Sequence, residues 1–155
     1  MVLNGIVEAD RFAAVGLTAG RAIIYTRDES PQVLQEYNYD FWYEPPSVML
    51  SDALIAYLRE ANIAKAIVTP EMRAKVDFLL NGRVQRLETR RGASPMAIVQ
   101  LELGLSNARS GAVMVVRSYR TDVPASDVSV EAYVSAVNKA VADIFSRFLN
   151  DLKGG

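Results

Sequence analysis

The sequence predicts an α+β fold, a largely antiparallel sheet with two amphipathic helices packed on one face. That expectation rests on period-two alternation of apolar residues over 33–41 and 97–105, on helical spacing over 50–61 and 130–152, and on the order of these segments. With 155 residues, 50% of them hydrophobic and 23% charged, the chain reads as one soluble globular domain spanning 1–155. A chain of this size buries roughly 70% of its unfolded surface, so its core needs no disulfide or metal.

A first strand falls within Ile6 to Val15, and the β-rich run Arg21-Ala22-Ile23-Ile24-Tyr25-Thr26 is the second. In 33–41, Val33, Tyr37, Tyr39 and Phe41 take odd positions while Glu36, Asn38 and Asp40 take even ones, which makes a half-buried strand. The turn residues Asp28-Glu29-Ser30-Pro31 join the two runs as a hairpin. Pro45-Pro46-Ser47 end the extended stretch, and Leu50, Leu54, Tyr57, Leu58 and Ala61 follow on one helical face. Lys65-Ala66-Ile67-Val68-Thr69, short and β-branched before Pro70, suits a buried strand.

From 76 to 84 the apolar residues Val76, Phe78, Leu80 and Val84 are even, yet the next large one is Leu87. A bulge near Gln85 accounts for the change of phase, because one extra residue returns Leu87 to the same face. Val99, Leu101, Leu103 and Leu105 alternate with Gln100, Glu102 and Gly104, and the turn Asn107 to Gly111 leads into Val113-Met114-Val115-Val116. The last helix carries the longest stripe, Val130, Tyr133, Val134, Val137, Val141, Ile144, Phe145, Phe148, Leu149 and Leu152. Ser126 or Ser129 can cap its start, and Gly154-Gly155 close it.

The residue types that are missing remove whole mechanisms. With no His and no Cys there is no Ser-His-Asp triad, imidazole ligand, thiolate nucleophile or zinc-thiolate site. Carboxylate pairs, Lys or Tyr bases and oxygen-ligand cation sites survive the composition. A formal charge of −1 argues against nucleic acid as a partner. No run reaches the roughly 18 apolar residues of a membrane span, and Met1-Val2-Leu3-Asn4-Gly5 lacks the basic and apolar regions of a signal peptide.

Aromatic residues concentrate at Tyr37, Tyr39, Phe41, Trp42 and Tyr43. The first three share a strand face and are read as core; Trp42 and Tyr43 at the strand exit, with the rigid Pro45 and Pro46 after them, are the better partner-contact candidates. Charge is also segregated. Residues 28–44 hold Asp28, Glu29, Glu36, Asp40 and Glu44 with no basic residue, whereas 71–91 hold Arg73, Lys75, Arg83, Arg86, Arg90 and Arg91 against Glu71, Asp77 and Glu88. Such a separation steers a charged partner or a head-to-tail self-contact, though ordinary solvated faces are the favoured reading; Arg83, Arg86, Arg90 and Arg91 join the contact candidates. The carboxylate pairs Glu36 with Asp40 and Asp127 with Glu131 lack any calcium-loop pattern, and Gly16-Leu17-Thr18-Ala19-Gly20 lacks the Lys of a phosphate loop. No catalytic residue, cofactor or metal site is expected.

The stretch Trp42-Tyr43-Glu44-Pro45-Pro46-Ser47-Val48-Met49-Leu50-Ser51-Asp52-Ala53-Leu54, after an aromatic strand, resembles the ABC-type transport auxiliary lipoprotein family. Phe78-Leu79-Leu80-Asn81-Gly82-Arg83-Val84-Gln85-Arg86-Leu87 and Val123-Pro124-Ala125 leading into Val130-Glu131-Ala132-Tyr133-Val134 match in order, so the likeness covers most of the chain. The resemblance implies a non-enzymatic envelope lipoprotein of Gram-negative bacteria, periplasmic and held on a membrane, the outer one, by an N-terminal lipid anchor. It implies partnership with an ABC transporter and an MCE-domain substrate-binding protein in traffic of lipids or hydrophobic solutes; a homo-oligomer is a further expectation. Family members carry a signal peptide and a lipidated Cys, which this sequence does not; Met1 is read as a start introduced by truncation.

The competing class is a stand-alone carrier that holds a hydrophobic ligand between sheet and helices, with a carboxylate-dependent enzyme as a remote third. A cavity bounded by Phe78, Leu101 and Phe145 favours the carrier; a filled core with an exposed apolar patch favours the accessory subunit.

Overall fold

The computed structural model describes residues 2–14, 22–27, 30–41 and 45–154, the strands within 22–41 by their backbone. In chain order the elements are β1 (Ile6–Ala9), β2 (Ala13–Ala14), β3 (Ala22–Arg27), β4 (Ser30–Phe41), α1 (Pro46–Glu60), β5 (Ala66–Val68), a 3₁₀ turn (Pro70–Met72), β6 (Phe78–Arg91), β7 (Met96–Asn107), β8 (Val113–Pro124) and α2 (Val130–Gly154). The expected α+β order stands, with β6 and β8 running well past the ends that alternation marked.

β6 is the spine of the sheet. Along one side it pairs antiparallel with β7 from Phe78 to Arg90, and β7 pairs antiparallel with β8 from Met96 to Ser106. Along the other side it meets three short parallel strands in succession: β1 at Phe78–Leu80, β2 at Arg83–Val84 and β3 at Thr89–Arg91. Beyond these, β5 lies parallel to β1 and β4 antiparallel to β3. The long ladders are thus antiparallel and the parallel ones span two or three residues each.

The bulge sits where the phase change placed it. Val84 faces Leu101 and Arg86 faces Gln100, so Gln85 is the extra residue. Its side-chain oxygen accepts from Gln100 Nε2 and from Ser118 Oγ, both at 3.0 Å, which ties three strands together. Leu80, Val84 and Leu87 all enter the core as a result. A second irregularity makes Met114 the extra residue of β8 opposite Leu105 and Ser106.

Ala97, Val99, Leu101, Leu103 and Leu105 of β7 form the floor of one continuous core. Leu50, Leu54 and Leu58 of α1 and Val137, Ile144, Phe145, Phe148 and Leu152 of α2 cover it, and the rings of Tyr57 and Phe145 join the helices at 5.7 Å between centroids. Ser129 Oγ accepts from the Ala132 N–H at 3.2 Å, so of the two cap candidates it is the one that starts α2. At the end of α1, Arg59 donates Nη2 to the Ile67 carbonyl at 2.7 Å and so holds the helix to β5. Gly82 matters for packing: a Cβ there would lie 2.5 Å from the Phe12 ring, which rests directly on the strand.

Candidate functional site

Among the described residues β8 pairs only with β7, leaving its other edge open along twelve residues. Native proteins usually blunt such an edge, because its free N–H and C=O groups template pairing with another chain. Here the start of β8 is apolar instead: Val113 is 66% exposed, Val116 61% and Met114 48%. Gly104 faces Val116 across the β7–β8 ladder, and its missing side chain leaves a shallow groove of about 220 Å³. Val113, Val116 and Gly104 line it, and Arg83 with Glu102 form a rim at 3.6 Å. An apolar floor inside a polar rim is the anatomy of a protein contact.

The opposite side of β8 is clamped to α2. Tyr119 donates its hydroxyl to Asp151 at 2.5 Å, and Arg117 pairs with the same carboxylate at 3.1 Å. Thr121 donates to Asp143 at 2.6 Å, while Arg147 pairs with Asp143 at 3.1 Å and donates to the Arg120 carbonyl at 2.9 Å. The Tyr119 ring packs edge-on to Phe148 at 6.0 Å with the Arg147 guanidinium 5.7 Å above it. Burial, and then the hydrogen bond to anionic Asp151, push the Tyr119 phenol well above its ordinary pKa. The open edge is therefore carried on a strand fixed from behind, so contact there would order little additional chain.

Of the contact candidates, Trp42 and Tyr43 lie outside the described residues. The Pro45 carbonyl accepts the N–H groups of Val48 at 2.9 Å and Met49 at 3.1 Å, and Pro46 occupies the first helical position. Pro46 is buried, so this corner acts as a helix start and Pro46 offers no surface to a partner. Arg83, Arg86, Arg90 and Arg91 all lie on β6, but they form no single exposed face: Arg83 is exposed and the other three are half-buried. Arg86 pairs at 2.6 Å with Glu88, itself only 4% exposed. Among the described residues Glu88 Oε2 and Arg90 Nε are buried without a hydrogen-bond partner.

The carboxylate pairs resolve differently. Asp127 accepts the Ser129 N–H at 2.7 Å, and hydrogen bonds from Ser129 hold its pKa below the ordinary value, so it serves the entry to α2. The side chains of Glu36 and Asp40 and the segment Gly16–Gly20 lie outside what is described. Among the described residues no three acidic side chains converge as a cation cage.

Sequence reasoning passed over Val113, Met114 and Val116 as surface. Their apolar run reads as core, and the signal that could have exposed it was Gly104, a glycine at an outward position of the neighbouring strand.

A family model described as the ABC-type transport auxiliary lipoprotein component matches residues 18–147. Protein XCC0632 from Xanthomonas campestris has a similar structure, with TM-score 0.85 at 18% identity over 98% of this chain and 86% of that one. The hypothetical protein CT253 from Chlamydia trachomatis follows with TM-score 0.61 at 9% identity over 99% and 100%. The PelC dodecamer from Paraburkholderia phytofirmans gives 0.50 at 17% identity over 91% and 86%. At such identities the likeness is one of fold. No curated protein matches the chain.

Proposed function

The chain belongs to the family of ABC-type transport auxiliary lipoprotein components, and from that premise we propose that it is a non-enzymatic periplasmic accessory which acts by contact. Its partners in this reading are an ABC transporter and an MCE-domain substrate-binding protein, and its task is to help move lipids or hydrophobic solutes across the envelope. A lipid anchor at the native N-terminus would hold it on the outer membrane. PelC of similar fold is a dodecamer, and self-assembly is proposed for this chain too.

The observation that carries the proposal is the exposed apolar start of β8 on a domain whose core is occupied by its own side chains. Leu101 is fully buried, Phe145 is 3% exposed, and both belong to the continuous cluster between sheet and helices, where a carrier would need space for its ligand. Accessory action without a reaction also suits a sequence free of His and Cys. Trp42 and Tyr43 remain proposed contacts for the MCE-domain partner.

The test is a binding experiment with a purified MCE-domain protein and its transporter in detergent. Association of the folded domain with that complex supports the reading. Failure to associate, together with lipid retained by the isolated domain, would favour the carrier.

A further inference from the structure

One end of the domain gathers the chain's entry, exposed apolar side chains and lysines without an acidic partner. β1, β5, β6 and β8 begin there and both helices end there. Backbone bonds stitch it together: Val2 and Leu3 donate to the Ile63 carbonyl at 3.1 and 2.7 Å, and Lys65 to Gly5, Asp77 to Ile6 and Ala108 to Asp77, each at 2.9 Å. Val113 and Met114 are exposed on the β8 side, where Met114 shares a groove with Asn150 and Gly154 of α2, and Val2 is 38% exposed at the chain's entry. Two of the charges here cancel in each of two ion pairs, Arg109 with Asp77 at 3.3 Å and Arg117 with Asp151 at 3.1 Å, and Arg59 and Glu60 offset one another at the end of α1. Lys65, Lys75 and Lys153 are exposed and form no ion pair among the described residues. This end is therefore basic on a chain whose formal charge is −1. The far end differs, because Asp127 and Glu131 flank the exposed Val128 at the start of α2.

We propose that this end docks on an anionic phospholipid surface, with Val2, Val113 and Met114 entering the headgroup region and Lys65, Lys75 and Lys153 meeting lipid phosphates. The inference rests on the reading of the chain as a membrane-held accessory and names the side of the domain that meets the membrane. Lysines beside a bilayer are attracted by anionic lipids, and a few apolar side chains add burial in the interface. Neither signal is strong alone, and the structure places both on one end. The same charges disfavour a second copy as the occupant, since two such ends face to face would bring lysines against lysines. A lipid attached ahead of Val2 would hold this end against the bilayer, because Val2 and Leu3 are fixed to Ile63. Val116 and the groove over Gly104 lie further along β8 and stay free for a protein partner.

Sedimentation with vesicles provides the test. At low salt the chain should sediment with vesicles of phosphatidylcholine and phosphatidylglycerol in equal parts and stay in solution with phosphatidylcholine alone. Lys65→Gln, Lys75→Gln and Lys153→Gln combined should weaken that binding by about tenfold or more, and added salt should weaken it in the parent. Because the chain has no Cys, a polarity-sensitive fluorophore can be placed at one position at a time. On the anionic vesicles a label at Met114→Cys should brighten, and one at Val128→Cys, exposed at the far end, should not. Circular dichroism checks that each variant folds; should the triple variant fail to fold, the two labels decide. No sedimentation with the anionic vesicles, a folded triple variant that binds like the parent, or labels that respond alike would overturn the inference. A Met114→Cys label that brightens with protein concentration alone would also overturn it, by assigning the apolar residues to a second copy. The accessory reading is judged separately, by association with the transporter complex.

Discussion

Tyr119 on β8 and Asp151 on α2 are joined by a 2.5 Å hydrogen bond, and this contact fixes the sheet's open edge to the C-terminal helix. Arg117 reaches the same carboxylate at 3.1 Å, so the anion is shared between a phenol and a guanidinium. Tyr119 is 2% exposed, with its ring against Phe148, which places the hydrogen bond at the border of the core.

Tyr119→Phe keeps the ring packing and removes the hydroxyl. The expected loss is about 1.5 to 3 kcal/mol, as for a hydrogen bond to a charged group, read from chemical denaturation at neutral pH.

The same bond sets an alkaline limit. The folded state raises the phenol pKa, so the neutral form is favoured by folding and this contribution is fully present below about pH 10, the unfolded value. It is lost as pH rises through the higher folded value. Melting curves up to pH 11 should show the parent losing its advantage over Tyr119→Phe; a constant gap between the two would contradict the assignment.

Phe145→Ala should destabilise by roughly 3 to 5 kcal/mol, because the ring is buried and contacts Tyr57 at 5.7 Å across the helix interface. An unchanged denaturation midpoint would mean that α2 does not dock through this face.

Gly82→Ala should cost about 1 to 3 kcal/mol through overpacking, since the new Cβ would meet the Phe12 ring at 2.5 Å. Trimming the ring by Phe12→Leu in the same chain should recover part of that loss relative to Phe12→Leu alone. Purely additive effects would show that the close approach is not the cause.

Deleting Gln85 tests the bulge. The ladder would become regular with Val84 and Leu87 two residues apart, so both stay on the core face opposite Leu101 and Val99. The variant is expected to fold with only a modest loss of stability, that of the Gln85 bonds to Gln100 and Ser118; failure to fold would show that Gln85 is not the extra residue of the strand.

This bulge was legible because Val84 and Leu87 differ in parity, and parity is the one property that a strand's sequence states directly. The helices were legible for the same kind of reason, down to Leu54 and Phe148. The parallel pairing of β1, β2 and β3 with β6 was not: the pairings involve two or three residues each, too few for alternation to specify a neighbour or its direction. β8 outran its apolar start because Tyr119 and Thr121 meet α2 through hydrogen bonds to Asp151 and Asp143, which leaves no hydrophobic alternation to read. The exposed patch was hidden by a different cause. Val113 and Val116 have the composition of core residues, and only their place on a strand with nothing paired beyond it among the described residues makes them surface. The candidates chosen for aromatic and basic density divided, with Arg83 exposed, Arg86 paired to Glu88, and Pro46 buried in the start of α1.

Native mass spectrometry of the isolated domain tests most directly the claim that it works by contact and carries no cargo. The account predicts assemblies whose masses are whole multiples of the bare 155-residue chain. A monomer that retains a bound lipid through desalting would contradict it.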